Sequence, residues 1–198
     1  MREETKEKRQ KEIFDAALKV FAEKGLEKAT LEEIAERVNL SKPALYLYFK
    51  NKEQLIVKLI DNRLEEYNES LDLIITSTDT SIDKLKKIIS LHIDFFMNNK
   101  NFFNIVHGTK LLSHSTKNTK PSHPFFKKYN EFIEKIADVI EQCMKENILM
   151  KNDKHFLAFS LLGQINHNII RCVFIDNFEL VKDLDKKVFN LFMKGAGK

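Results

Sequence analysis

Tryptophan is absent from the 198 residues, and the chain contains only two cysteines, three prolines and five glycines. Cys143 and Cys172 have no C-x-x-C spacing and stand inside amphipathic helical pattern. They read as buried thiols, with a redox role as the minority option and no disulfide framework. No run approaches the roughly 20 apolar residues of a membrane span. The opening Met-Arg-Glu-Glu-Thr-Lys-Glu-Lys is too charged for a secretory signal, so the chain reads as cytoplasmic with no membrane partner. The patterns G-x-S-x-G, G-x-x-x-x-G-K-[ST] and H-E-x-x-H are all missing, which leaves a helical enzyme as a remote alternative. The six histidines include no pair at i, i+4, and no metal or cofactor is expected.

Alternating strand pattern is lacking too. The 43% hydrophobic and 31% charged residues are arranged with helical period, and they suffice for a buried core. Net charge is only +4, and residues 1–52 carry 12 Lys and Arg against 10 Asp and Glu. Bulk charge alone does not point to nucleic acid. Position is more informative: Lys42, Lys50 and Lys52 flank one short segment, where they can meet phosphates.

That segment is Ser41-Lys-Pro-Ala-Leu-Tyr-Leu-Tyr-Phe49. A capping Ser followed closely by Pro43 predicts a helix start, because proline is tolerated in a first helical turn. Leu45 and Phe49 can be buried together, leaving Pro43, Ala44, Tyr46, Leu47 and Tyr48 largely on other faces. Just upstream, Thr30-Leu-Glu-Glu33 has capping-box spacing, and Leu31, Ile34, Ala35 and Val38 follow at i, i+3, i+4, i+7. Only Asn39 and Leu40 separate the two helices before the Ser41 cap, and Asn readily takes the left-handed conformation of a sharp turn. Two short helices joined this tightly predict a helix-turn-helix over 30–49, whose second helix enters the DNA major groove.

The remaining pattern predicts an all-α chain of about nine helices. The first runs over about 5–24 and ends at Gly25. Asn51 caps a fourth that continues toward 75. Later helices are expected over 82–96, 102–111, 124–146, 153–175 and 185–194, with a polar connector over 113–124. The division is set at residue 52, giving a DNA-binding domain (1–52) and a second domain (53–198) for effector binding and dimerisation.

The motifs Ile13-Phe-x-Ala-Ala, Phe21-x-x-x-Gly25, Thr30-x-x-x-Ile34-Ala35, Ser41-Lys42-x-x-Leu45-Tyr46-x-Tyr48-Phe49 and Asn51-Lys52-x-x-Leu55 together resemble the TetR family of bacterial transcriptional regulators. Asn39 departs from the glycine common at that turn, and Pro43 from the small residue often found there. The resemblance implies a homodimeric repressor, released from a palindromic double-stranded DNA operator by a small hydrophobic effector. A TetR-like activator or nucleoid-associated DNA-binding protein is the alternative. It further implies backbone contacts from Thr30, Tyr46, Tyr48 and Lys52, and groove contacts from Lys42, Pro43, Ala44 and Leu47. A packing role for Tyr46 and Tyr48 at a domain junction is the bland reading of those two.

Of 16 phenylalanines, 13 lie beyond residue 50, so an interior cavity there would be apolar. Effector contacts are expected from His92, Phe96, Phe103, Tyr129, Phe132, Phe159 and His167. His107, His114 and His123 read as ordinary loop residues. His167 and Arg171 form either an anion receiver or a polar interface pair. The segment 153–175 is apolar nearly all round, which predicts burial on two sides. The expected dimer interface contains Leu157, Leu161, Gly163, Gln164 and Asn168, with Phe189 from the last helix.

Overall fold

The Thr30 hydroxyl accepts from the Glu33 N–H while the Glu33 carboxylate accepts from the Thr30 N–H, and this reciprocal cap starts the second helix where its spacing predicts. In the computed structural model, which describes residues 2–102, 105, 124–175 and 177–197, all regular elements are helical. They are α1 (Arg2–Lys28), α2 (Leu31–Arg37), α3 (Lys42–Tyr46), α4 (Lys52–Ile75), α5 (Ser81–Asn98), α6 (Pro124–Lys145), α7 (Lys154–Ile175) and α8 (Leu184–Ala196). A 3-10 turn, Phe178–Val181, stands between the last two. The helix expected over 102–111 lies mostly outside the described residues, as does the connector after it. His107, His114 and His123 lie outside them as well.

Each break has a local cause. Gly25 interrupts α1 with φ 78° and ψ 159°, a conformation that a side chain would strain. Asn39 takes φ 53° at the turn between α2 and α3. Ser41 Oγ accepts from the Ala44 N–H, and Pro43 occupies the first turn of α3. Asn51 Oδ1 accepts from the Gln54 N–H at 2.8 Å, which starts α4.

The chain divides into two compact units. The first holds residues 2–63 with the described residues of 99–105, and the second holds 64–98 with the described residues from 124 onward. The division passes inside α4, eleven residues beyond the boundary expected at 52. The cause is packing: Leu55, Ile56, Leu59 and Ile60 are buried, as are Ile13, Phe14, Phe21, Ile34, Leu45 and Phe49, so the first turns of α4 complete the core of the helix-turn-helix unit. In the second unit α5 packs against α6, α7 and α8, and α7 against α6 and α8. Its core includes Leu85, Ile88, Ile89, Ile136, Ile140, Leu161, Ile165 and Phe192. The end of α8 is tied to the α6–α7 connection, where the Met150 N–H donates to the Ala196 carbonyl at 2.7 Å. Cys143 and Cys172 are both buried free thiols, and burial raises the pKa of each.

Candidate nucleic-acid interface and effector site

The helix-turn-helix unit buries the apolar residues its period selects and exposes the others. Leu45 and Phe49 are fully buried, while Leu47 beside them is 86% exposed. Lys42, Pro43 and Tyr46 are exposed, and Ala44 and Tyr48 are half-buried. An apolar side chain held this far out on a well-capped helix has no packing role within the unit, and it suits contact with thymine methyl groups. Tyr46 therefore does not pack away as the bland reading has it, whereas Tyr48 lies partly against Phe49, with ring centroids 6.4 Å apart.

The charged groups around this face are paired more closely than sequence spacing reveals. Glu32 of α2 binds the Lys42 ammonium, and the hydrogen bond between them lowers the carboxyl pKa and raises that of the ammonium. Arg37 forms a two-pronged pair with Glu23, with hydrogen bonds of 2.6 and 2.7 Å. From α1, Arg9 Nη2 donates to the Val38 carbonyl at 2.6 Å, in the turn itself. Lys52 is also engaged: its Nζ lies 2.7 Å from the Leu26 carbonyl and 3.0 Å from those of Glu27 and Ala29. Neither Glu32 nor Arg9 has a sequence signal for these roles, because both partners are distant in the chain.

In the second unit the structure gathers part of the expected effector set. His92 is 4% exposed; its Nδ1 lies 3.1 Å from the Tyr67 hydroxyl and its Nε2 3.0 Å from Asn166 Oδ1. The neutral Nε2–H tautomer satisfies both contacts, accepting from Tyr67 and donating to Asn166. Desolvation pushes the His92 pKa down to about 4, against the opposing effect of the hydrogen bond that His92 donates to Asn166. Burial likewise raises the Tyr67 pKa. Phe132 stacks on the imidazole with centroids 5.9 Å apart, Phe96 meets it edge-on at 4.9 Å, and Tyr129 lies 6.0 Å from Phe132. Tyr67, Phe95 and Asn166 were missed as members. Asn166 had no distinct signal, because Gln164, His167 and Asn168 are polar neighbours in the same stretch.

Phe159 and His167 do not join this cluster. Both are exposed on α7, and they share that surface with Phe156 (61% exposed), Gly163 and Ile175. Phe103 lies outside the described residues. The expected dimer set also separates: Leu157 and Leu161 are buried in the core of their own subunit, Gln164 and Asn168 are half-buried, and Gly163 is exposed. Phe189 is half-buried under the Lys86 ammonium, 5.5 Å from its ring centroid. The outward line of α7 is thus 156, 159, 163, 167 and 171, and 157 and 161 face inward. Among the described residues no cluster of His, Cys, Asp or Glu could hold a metal ion, and no helix is long and apolar enough to cross a membrane.

A five-residue reading helix, capped at Ser41, set on α2 and exposing Leu47, defines a DNA-binding transcriptional regulator of the helix-turn-helix class. Residues 13–59 match the family model for bacterial regulatory proteins of the tetR family. That match spans the helix-turn-helix unit and the first turns of α4, so this unit is similar to the DNA-binding segment of tetR-family regulators. It is 27% identical to the fatty acid metabolism regulator protein of Bacillus subtilis (strain 168), over 96% of this chain and 97% of that protein. It is 34% identical to the biofilm operon icaADBC HTH-type negative transcriptional regulator IcaR of Staphylococcus epidermidis, over 39% of this chain and 41% of that one. In fold it is similar to the crystal structure of the transcriptional regulator FadR from Bacillus subtilis in complex with stearoyl-CoA. There the TM-score is 0.78 at 22% identity, with 93% of this chain and 97% of that chain covered.

Proposed function

We propose that this protein is a homodimeric repressor that leaves a palindromic DNA site when an effector with a long apolar tail, of the fatty acyl thioester class, binds its second unit. The observation that carries this reading is the aromatic cluster around His92, built from α4, α5, α6 and α7 and uncharged at neutral pH. Helix α4 belongs to both units, since Leu55 and Leu59 are buried with the helix-turn-helix core and Tyr67 bonds to His92. A ligand that displaces Tyr67 or Phe132 acts on the same helix whose first turns complete the reading unit.

Thr30, Tyr46 and Tyr48 contact the DNA backbone in this proposal, and Lys42, Pro43, Ala44 and Leu47 face the groove. The effector meets His92, Phe96, Tyr129 and Phe132. Phe156, Phe159, Gly163 and His167 face the second subunit. The similarity to a fatty acid metabolism regulator over nearly the whole chain supports the effector class.

The test is duplex selection from a randomised library, followed by affinity measurement with stearoyl-CoA, with coenzyme A alone and without ligand. A selected palindrome that is released by the acyl thioester and not by coenzyme A is the expected result. By linkage, a 100-fold release corresponds to about 2.7 kcal/mol of coupling, and DNA must weaken acyl-thioester binding by the same factor. Equal ligand affinity with and without the duplex overturns the release mechanism. A genome-wide map with many dispersed sites favours the nucleoid-associated alternative.

A further inference from the structure

A lysine ammonium has three N–H donors and no acceptor, and Lys52 has three carbonyl oxygens in hydrogen-bond range, those of Leu26, Glu27 and Ala29. These carbonyls lie at the end of α1 and in the residue before the Thr30 cap, where a helix leaves backbone acceptors without internal partners and carries the negative end of its dipole. Lys52 is half-buried and Ala29 is buried. Moving the ammonium to a phosphate would strip three charge-assisted bonds and leave part-buried carbonyls unpaired.

We infer that Lys52 is a positioning residue and not a phosphate contact: it clamps the α1–α2 corner to the first turn of α4 and so sets the angle of the reading helices. Thr30 follows Ala29 directly and starts α2, and α2 packs on α3, so the clamp acts one residue upstream of the helix-turn-helix. Arg9 does the same at the other end of α2 through the Val38 carbonyl. The backbone charges are then met by Lys28 and Lys50, exposed lysines whose ammonium groups have no partner among the described residues.

Two arms test this inference. In DNA-free protein, Lys52→Met speeds amide hydrogen exchange over residues 26–33, and Lys52→Arg, which keeps a cationic head with several donors, restores protection. In DNA binding, Lys52→Met lowers the preference for the selected duplex over a random one by about tenfold, and the dependence of log affinity on log salt keeps the wild-type slope. Lys50→Met reduces that slope by about 0.9. A residue that merely stabilised the fold would leave the preference unchanged in assays run well below the melting temperature. A slope reduced by about 0.9 in Lys52→Met, with exchange unaltered, overturns the clamp. Lys52→Gln keeps both arms available should the Met variant fail to fold. If the wild-type chain selects no duplex, the regulator reading fails, and the exchange arm still decides the role of Lys52.

Discussion

The Tyr67 hydroxyl and His92 Nδ1 meet at 3.1 Å in a buried setting, where desolvation favours the neutral imidazole. In the unfolded chain His92 titrates near 6.5, and in the folded chain its pKa lies near 4. Its contribution is therefore fully present above about pH 6.5, is lost as pH falls from 6.5 toward 4, and levels off below that, where both states carry the proton. The whole span corresponds to about 3 kcal/mol. Urea melts at pH 7 and pH 4.5 are expected to show this loss in the wild type and a smaller loss in His92→Phe. That variant should also lower stability at pH 7 by about 1–3 kcal/mol, because the Asn166 carbonyl is left unpaired.

Tyr46 and Leu47 are neighbours in sequence that we propose meet the DNA backbone and the groove respectively, and their substitutions should separate accordingly. Tyr46→Phe removes one phosphate hydrogen bond and should weaken binding to all duplexes by about 1–2 kcal/mol. Leu47→Ala removes apolar surface that is 86% exposed in its own unit, so it should leave stability within about 0.5 kcal/mol of wild type and shift preference at one base position. Binding to a randomised library, at fixed salt, checks both.

Gly25 has φ 78°, and a Cβ built on it meets no atom within 4 Å. Gly25→Ala should therefore act through the backbone alone, costing about 1–2 kcal/mol in thermal or urea unfolding. Gly25→Asn should cost about as much, because ψ 159° lies outside the αL region that Asn tolerates. Equal stabilities for all three would show that this kink does not require glycine.

Helix boundaries were legible in the sequence because caps are local: Thr30 with Glu33, Ser41 with Pro43, and Asn51 with Gln54 each signal an end within a few residues. The exposure of Leu47 was legible for the same reason, since Leu45 and Phe49 on either side of it are the buried pair. The orientation of α7 was not legible. Its residues are apolar nearly all round, so periodicity has no polar stripe from which to tell the core line of Leu157 and Leu161 from the outward line of Phe156 and Phe159. The carbonyl partners of Lys52 were not legible either. Its place beside the reading helix fits a phosphate contact, and only the fold brings the carbonyls of residues 26, 27 and 29 to its ammonium. The His92 cluster was half legible: aromatic density flagged Phe96 and Phe132, but the partners Tyr67 and Asn166 are 25 and 74 residues away from His92.

The inward and outward lines of α7 separate folding from assembly, and adjacent substitutions should expose the difference. Leu161 is fully buried, so Leu161→Glu places an unpaired charge in the subunit core and should destabilise the chain by more than about 4 kcal/mol. Phe159 is 51% exposed within one subunit, and Phe159→Glu should leave a folded chain with unchanged helical circular dichroism. If Phe159 faces a second copy, the same charge would be desolvated against apolar partner surface, and the dimer should dissociate at micromolar concentration. Gly163 sharpens the test, because a Cβ there meets nothing within 4 Å of its own subunit. In an isolated subunit Gly163→Ala should raise helix stability by about 1 kcal/mol, so any weakening of the dimer by this variant must come from the partner's side. Light scattering paired with thermal melts reads both quantities. A wild-type monomer, or a Phe159→Glu dimer of full affinity, would mean that the outward face of α7 is not the subunit interface.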